Sequence, residues 1–446
     1  MNYNARKIAV EILHSVEELK AFSNIEINKR VKVVKDIRDE NLIRELVYGV
    51  LENKLYIDNI IKNLSRTKYN KIDIIILQIL RIGVYQIYFM EHVPDRAACN
   101  ESVDLTKSFN KKRLSGYVNG ILRNASRNKS KEYLPNKKNN LIEYLSIKYS
   151  HPKWIVEVFI KDFGESFTEE LLKSNNTNPP LSVRVNRNIV TRDELIQILN
   201  SHDILAEKTN YSKDGLIVSK PRNITELKEF KEGYFTIQDE SSMLVAQVMD
   251  PKEGSIVLDI CSGPGGKATH IAEAMNNRGK IISRDIFDHK LDLINKNALR
   301  LNIDIINTEE YDALIFDDSL KKSVDYCLVD APCSGLGLLR RKPDIRWNKS
   351  IGDLDTLSKM QITILRNAAE YVKTNGILIY STCTLTKKEN MNVINEFLKL
   401  NDEYSLVEIN TVDMDDNESL KKGYIELYPN IHGTDGFFIA KLKRIK

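Results

Sequence analysis

Apolar residues recur at helical spacing through the first 128 positions of the chain. Ile8, Ile12, Leu13 and Val16 share one face of a 3.6-residue repeat, and Leu42, Leu46, Val47, Val50 and Leu51 share another. Residues 72–88 are apolar on nearly every side, interrupted only by Asp73, Gln78, Arg81 and Gln86, which predicts the central helix of a bundle. Pro94 breaks the pattern, which resumes over 97–109 and closes over 115–125. An all-α domain of about five to seven helices is therefore expected over residues 1–128.

Residues 129–140 are rich in Asn, Ser and Lys and read as a linker. Helical spacing returns over 141–163, a strand alternation follows at 181–186, then a helix at 192–201 and a strand at 215–218. This predicts a helical connector and a small α+β module over 141–235. From 254 onward the rhythm becomes strand–helix alternation. Strands are predicted near 256–260, 280–285, 303–307, 325–329, 376–381, 404–409 and 437–441, with helices between them, and a parallel doubly wound sheet follows over a domain of 236–446.

Charge changes this picture only locally. The chain carries +4 in total. Residues 1–150 hold 27 Lys+Arg against 17 Asp+Glu, a net +10, which leaves −6 for the rest. Basic side chains crowd 107–138, among them Lys111, Lys112 and Arg113, and a polyanion such as RNA is drawn to such a surface. A solvated face beside a lysine-rich linker would look the same. No apolar run has membrane-spanning length, and five cysteines without C-x-x-C spacing argue against a disulfide framework or a metal site. A reducing cytoplasm is the expected location, and no membrane or metal partner is expected.

The chemistry sits at predicted strand ends. Leu258–Lys267 reads as a strand entering a glycine-rich turn, Cys261-Ser262-Gly263-Pro264-Gly265-Gly266-Lys267, which fits neither the dinucleotide fingerprint nor a phosphate-cradling loop. Asp285 ends the next strand, where a carboxylate can accept from both hydroxyls of a ribose, and Asp312 follows the third, where an acid can accept from an adenine amine. A helix cap and a loop acid are the plainer readings of these two. Asp330-Ala331-Pro332-Cys333 and Ser381-Thr382-Cys383 put two thiols past strand ends, whereas Cys99, Cys261 and Cys327 read mainly as small core residues.

Those motifs resemble the RNA cytosine-C5 methyltransferases of the Sun/Fmu/NOL1 superfamily. Further residues carry the resemblance: Arg184-Val185-Asn186, Gln238–Ser242, 330–337, the run from Arg340 to Trp347, and Asp435–Phe438. The N-terminal helices are similar to the NusB-like RNA-binding domain found with bacterial members. The chain departs from the family pattern at Ser262-Gly263, where two alanines are common, and at Arg284 before Asp285. The resemblance implies a NusB-like domain, a ferredoxin-like α+β module and a Rossmann-like class I methyltransferase domain with a seven-stranded, mostly parallel sheet.

It also implies S-adenosylmethionine as cofactor, held by Cys261, Ser262, Gly263, Pro264, Gly265, Gly266, Lys267, Asp285, Asp312 and Asp330. Cys383 is expected to be the nucleophile, Cys333 to serve release, and Asp330 and Lys267 to assist at the base and the thiol. Arg346, with Lys111, Lys112 and Arg113, is expected to contact RNA. The implied activity is methylation of a specific cytosine of 16S rRNA, free or in an early small-subunit particle, by a monomer. Methylation of tRNA or another RNA, and a non-catalytic role in RNA assembly, are the alternatives. Protein or glutamine methylation is disfavoured, because Asp-Ala-Pro-Cys stands where such sites use Asn-Pro-Pro-Tyr.

Overall fold

The computed structural model describes residues 4–219, 223–414 and 417–446. The chain forms two compact units, Met1–Thr177 with Leu339–Lys349, and Asn178–Leu338 with Ser350–Lys446.

The first unit opens with α1 (Ala5–Glu18), α2 (Ser23–Val31), α3 (Ile37–Glu52), α4 (Lys54–Leu64), α5 (Ile74–Phe89), α6 (Asp95–Ser108) and α7 (Ser115–Arg127). Helix α5 is the hub and packs against α1, α3, α4, α6 and α7. Ile76, Ile79, Leu80, Ile82, Val84 and Ile87 on its several faces are all solvent-free. Asp73 starts the helix by accepting from the amides of Ile75 and Ile76. The polar residues that interrupt the apolar run are buried too. Arg81 donates to both Asp58 oxygens at 2.7 and 2.9 Å and also bonds Glu17 and the Tyr69 hydroxyl, so its buried charge is compensated. Helices Leu141–Lys148, Lys153–Phe163 and Glu165–Ser174 belong to this same unit, so the compact division falls after Thr177 rather than at 141.

In the second unit, β1 (Leu181–Val185), β2 (Leu205–Lys208), β3 (Gly215–Ser219) and β4 (Phe235–Ile237) form an antiparallel sheet in the order β2-β3-β1-β4. Helix Arg192–Ser201 covers it, started by a capping box between Thr191 and Glu194. Strand β2 is largely exposed and β4 has three residues, so neither shows the alternation that marks a strand.

The larger sheet holds β5 (Ile256–Asp259), β6 (Lys280–Asp285), β7 (Ile306–Glu310), β8 (Val324–Asp330), β9 (Val372–Thr382), β10 (Tyr404–Leu406), β11 (Tyr424–Leu427) and β12 (Phe437–Arg444). Its order is β10-β12-β9-β8-β5-β6-β7, with β11 added on β12, which makes eight strands among the described residues where seven were expected. The additional one, β11, is four residues long and half polar. The third strand starts at Ile306 instead of 303 because Ile303 bonds back to Ala298 and closes the preceding helix.

Apolar clusters lie on both faces of this sheet. Leu244, Val248, Ala268 and Ile271 fill one, and Ile364, Leu365, Val393 and Phe397 the other, so the sheet is doubly wound. Strands β5 to β9 run parallel. Their carboxyl ends share one edge, and the order reverses at β5, which opens a crevice there.

Candidate active site

A cavity of about 400 Å³ occupies that crevice. Ile260, Ile286, Phe287, Leu314, Met360 and Ile364 give it apolar walls, and Asp285, Asp312 and Asp330 place carboxylates along it. Size and lining suit a nucleoside-sized ligand with a few polar handles.

The glycine-rich turn forms its floor at Cys261 and Gly263. The turn reverses the chain through Gly265, whose φ of +95° is costly for other residues, directly into helix Gly266–Ala274. Asp285 clasps the turn, with Oδ2 accepting from the Gly263 amide at 3.0 Å and from Lys290 Nζ at 3.2 Å. Its Oδ1 accepts from the Phe287 amide at 3.1 Å, so the carboxylate holds the chain just ahead of helix Asp288–Arg300 and lines the cavity at once. Asp312 lines the cavity and accepts from the Leu314 amide at 2.9 Å. Ser262, Pro264, Gly265 and Gly266 build the turn without lining the cavity.

Arg184, on β1, is fully buried and braces the same turn from behind. It donates to Glu273 at 2.9 and 2.8 Å, to the Gly266 carbonyl at 2.6 Å and to Thr269 at 3.0 Å. The α+β module thereby fixes the helix that carries Lys267.

Lys267 Nζ donates to Asp330 Oδ2 at 2.6 Å, and Ser381 Oγ donates to Asp330 Oδ1 at 2.9 Å. Burial works against the Lys267 charge, but the Asp330 carboxylate outweighs it and holds the ammonium above its ordinary pKa. Asp259, at the end of β5, is fully buried, and burial together with the Asp330 charge pushes its carboxyl up to about 7.

Register brings the two thiols together. Asp330 of β8 pairs with Ser381 of β9, so Cys333 and Cys383 leave neighbouring parallel strands at the same edge. Their Sγ atoms lie 3.2 Å apart, and no disulfide joins them. The amide of Gly337 donates to the Cys383 carbonyl at 3.0 Å, and a Cβ at Gly337 would stand 1.9 Å from the Gly436 oxygen, so only glycine fits. The hydrogen bond between the two thiols, then burial, push the Cys333 thiol well above the usual cysteine range. Cys261 and Cys327 are pushed up by burial as well, which suits inert side chains.

The structure corrects one expectation. Arg346 is fully buried in the helical unit. Its guanidinium donates to the carbonyls of Glu52, Ser150 and Asn175 at 3.0, 3.2 and 2.9 Å and to Asn176 Oδ1 at 2.7 Å. It cross-links helix ends of that unit and presents nothing to RNA. Burial brings its pKa down to about 10. Lys112 and Arg113 are exposed after α6, whereas Lys111 pairs with Asp73 at 2.5 Å. Sequence reasoning also passed over Tyr311 and Lys290 around the cavity, the buried Asp259 at the end of β5, and Glu389 behind the thiols. Only Asp259 had a local signal, as the acid ending the strand before the turn.

Residues 246–443 match the family described as 16S rRNA methyltransferase RsmB/F, residues 3–127 the NusB family, and residues 151–225 the ferredoxin-like domain of RsmF/B-like methyltransferases. The probable ribosomal RNA small subunit methyltransferase B of Bacillus subtilis is 36% identical, with 99% of each chain covered. Its counterpart in Synechocystis is 34% identical over 99% of each chain. The crystal structure of PH0851 superposes with a TM-score of 0.82 at 27% identity and covers 100% of both chains. The RsmB/F model covers the sheet of this chain, the NusB and ferredoxin-like models cover regions before it, and the chain belongs to the RsmB/F family of 16S rRNA methyltransferases.

Proposed function

We propose that the protein methylates carbon 5 of one specific cytosine in 16S rRNA, with S-adenosylmethionine as donor and a transient bond between Cys383 and carbon 6. The observation that carries this reading is the placement of two thiols 3.2 Å apart past the paired ends of β8 and β9, with Asp330 and Pro332 of the first thiol segment lining the cavity.

The cavity fits the cofactor. Asp285 and Asp312 both line it beside apolar side chains, and in this reading Asp285 holds the ribose and Asp312 reads the adenine amine. When bound, S-adenosylmethionine supplies an electrophilic methyl group beside the target base. Carbon 5 of cytosine is too weak a nucleophile to take it unaided. Addition of the Cys383 thiolate to carbon 6 pushes electron density onto carbon 5, which divides one hard step into easier ones. Lys267 supplies positive charge that favours the thiolate, and Asp330 meets the N3/N4 edge of the ring. Cys333, as the base or its helper, takes part in removing the carbon-5 proton. The electron pair released from that C–H bond then expels Cys383. The target must be unpaired or flipped, since a stacked base hides its face.

The N-terminal helices supply RNA affinity, with Lys112 and Arg113 exposed for phosphate contact. A 16S rRNA substrate, free or in an early particle, puts this work in the cytoplasm. Bisulfite sequencing of 16S rRNA from cells with and without the protein tests the reading. One cytosine should lose its methyl group in the deletion strain, and an unchanged 16S map would overturn it.

A further inference from the structure

One buried carboxylate outside the proposed chemistry touches both thiol-bearing segments. Glu389 precedes helix Met391–Leu400 and is fully buried. Its Oε1 accepts from the Ser334 amide at 2.7 Å and from Gln361 Nε2 at 3.2 Å. Its Oε2 accepts from the hydroxyls of Ser334 at 2.6 Å, Thr386 at 2.9 Å and Thr384 at 3.3 Å. Ser334 directly follows Cys333 and Thr384 directly follows Cys383. The same side chain therefore holds the neighbour of each thiol, and those two hydroxyls bond one another at 2.7 Å.

Adjacent groups extend the clamp. Asn390 accepts from Thr382 Oγ1 at 2.6 Å and donates to the Thr384 carbonyl at 3.0 Å, which pins both flanks of Cys383. Gln361 Nε2 also donates to the Pro332 carbonyl at 2.9 Å, on the other side of Cys333. Amides and hydroxyls converge on Glu389, and an ionised carboxylate, which only accepts, satisfies them all. A glutamine has the same shape but would aim N–H groups at donors, which leaves buried groups unmatched.

We propose that Glu389 is a positioning residue that sets the separation and aim of Cys333 and Cys383, so that attack at carbon 6 and proton release at carbon 5 act on one bound pyrimidine. This rests on the covalent methylation reading above. Both thiols lie just past the paired ends of β8 and β9, where ladder bonds cease to hold the backbone. The negative charge of Glu389 also adds to the upward push on the Cys333 thiol, after the larger effects of Cys383 and burial.

The test uses the full-length protein, 16S rRNA transcripts and the same transcripts containing 5-fluorocytidine, which blocks release and traps the adduct. Glu389→Gln should bind S-adenosylmethionine and RNA within about twofold of the parent while single-turnover methylation and adduct formation both fall about 10–100-fold, as a displacement near one ångström would cause. Ser334→Ala, which removes one of the links, should cause a smaller loss that does not add to that of Glu389→Gln. Parental rates in Glu389→Gln would overturn the proposal. So would a loss of turnover matched by equal losses of cofactor affinity and thermal stability, which marks a purely structural role. Should Glu389→Ala fail to fold, the Gln and Ser334 variants decide the matter. Absence of any adduct from the parent protein overturns the covalent reading itself, an outcome distinct from normal trapping by an unaffected Glu389→Gln.

Discussion

Lys267 and Asp330 form an ion pair of 2.6 Å between the first turn of a helix and the end of a strand, 63 residues apart in the chain. The pair joins the glycine-rich turn to the segment bearing Cys333, so cofactor cavity and thiols share one electrostatic unit. Ser381, two residues before Cys383, bonds the other Asp330 oxygen at 2.9 Å and draws the second thiol segment into it.

Replacing the thiols should separate attack from release. Cys383→Ala is expected to lower methylation on the order of a thousandfold or more, as loss of a nucleophile does. Cys333→Ala is expected to accumulate a protein–RNA species that survives denaturing electrophoresis. A Cys383→Ala protein with ordinary activity would remove the covalent step from consideration.

Asp285 makes a narrower prediction. If its carboxylate holds the ribose, Asp285→Ala should weaken cofactor binding about 10–100-fold, the worth of one or two hydrogen bonds to a charged group. Calorimetric titration measures this directly. Affinity equal to the parent's would leave Asp285 with only its clasp on the Gly263 and Phe287 amides.

Stability should depend on pH through Asp259. Its folded pKa is raised from 3.8 to about 7, chiefly by burial, so the folded state prefers the protonated acid. That preference is fully present below about pH 4 and is lost as pH rises through about 7, up to roughly 4 kcal/mol over the interval. Asp259→Asn removes the titration and should gain on the parent from about pH 4 to about pH 7 and then level off. Glu52, also raised to about 7 by burial, titrates in the same window in both proteins and cancels in the difference. Parallel stability curves for the two proteins would refute the assignment.

Arg346 should matter for folding rather than for RNA. Its removal leaves four oxygen acceptors without this donor, two of the bonds being fully buried, so Arg346→Ala is expected to cost about 3 kcal/mol or more in urea unfolding. A phosphate-binding arginine would behave in the opposite way, with unchanged unfolding and a salt dependence of RNA binding reduced by about one unit of slope.

Some of the molecule was plain in the chain itself. Strand β5, the end of β8 and the second half of β9 are apolar runs closing on Asp259, Asp330 and Thr382, because strands buried on both faces need no polar alternation. The hub helix α5 was legible for the same reason. Strand β11 was not, since Tyr424–Leu427 is too short and too mixed to carry a period. Arg346 misled because it follows the Cys333 motif closely in sequence, yet 339–349 folds into the helical unit.

The order of amino acids alone determined which chemistry is available: a glycine turn, acids at strand ends and two cysteines of unusual setting are contiguous motifs, and local turns and strand ends are short-range consequences of composition. The tertiary structure alone decided their relations. The 3.2 Å between Cys333 and Cys383 follows from the register of Asp330 on Ser381, and the reach of Glu389 to both follows from helix packing behind that edge. Register and long-range burial depend on every layer of the sheet at once, so no window of the chain contains them.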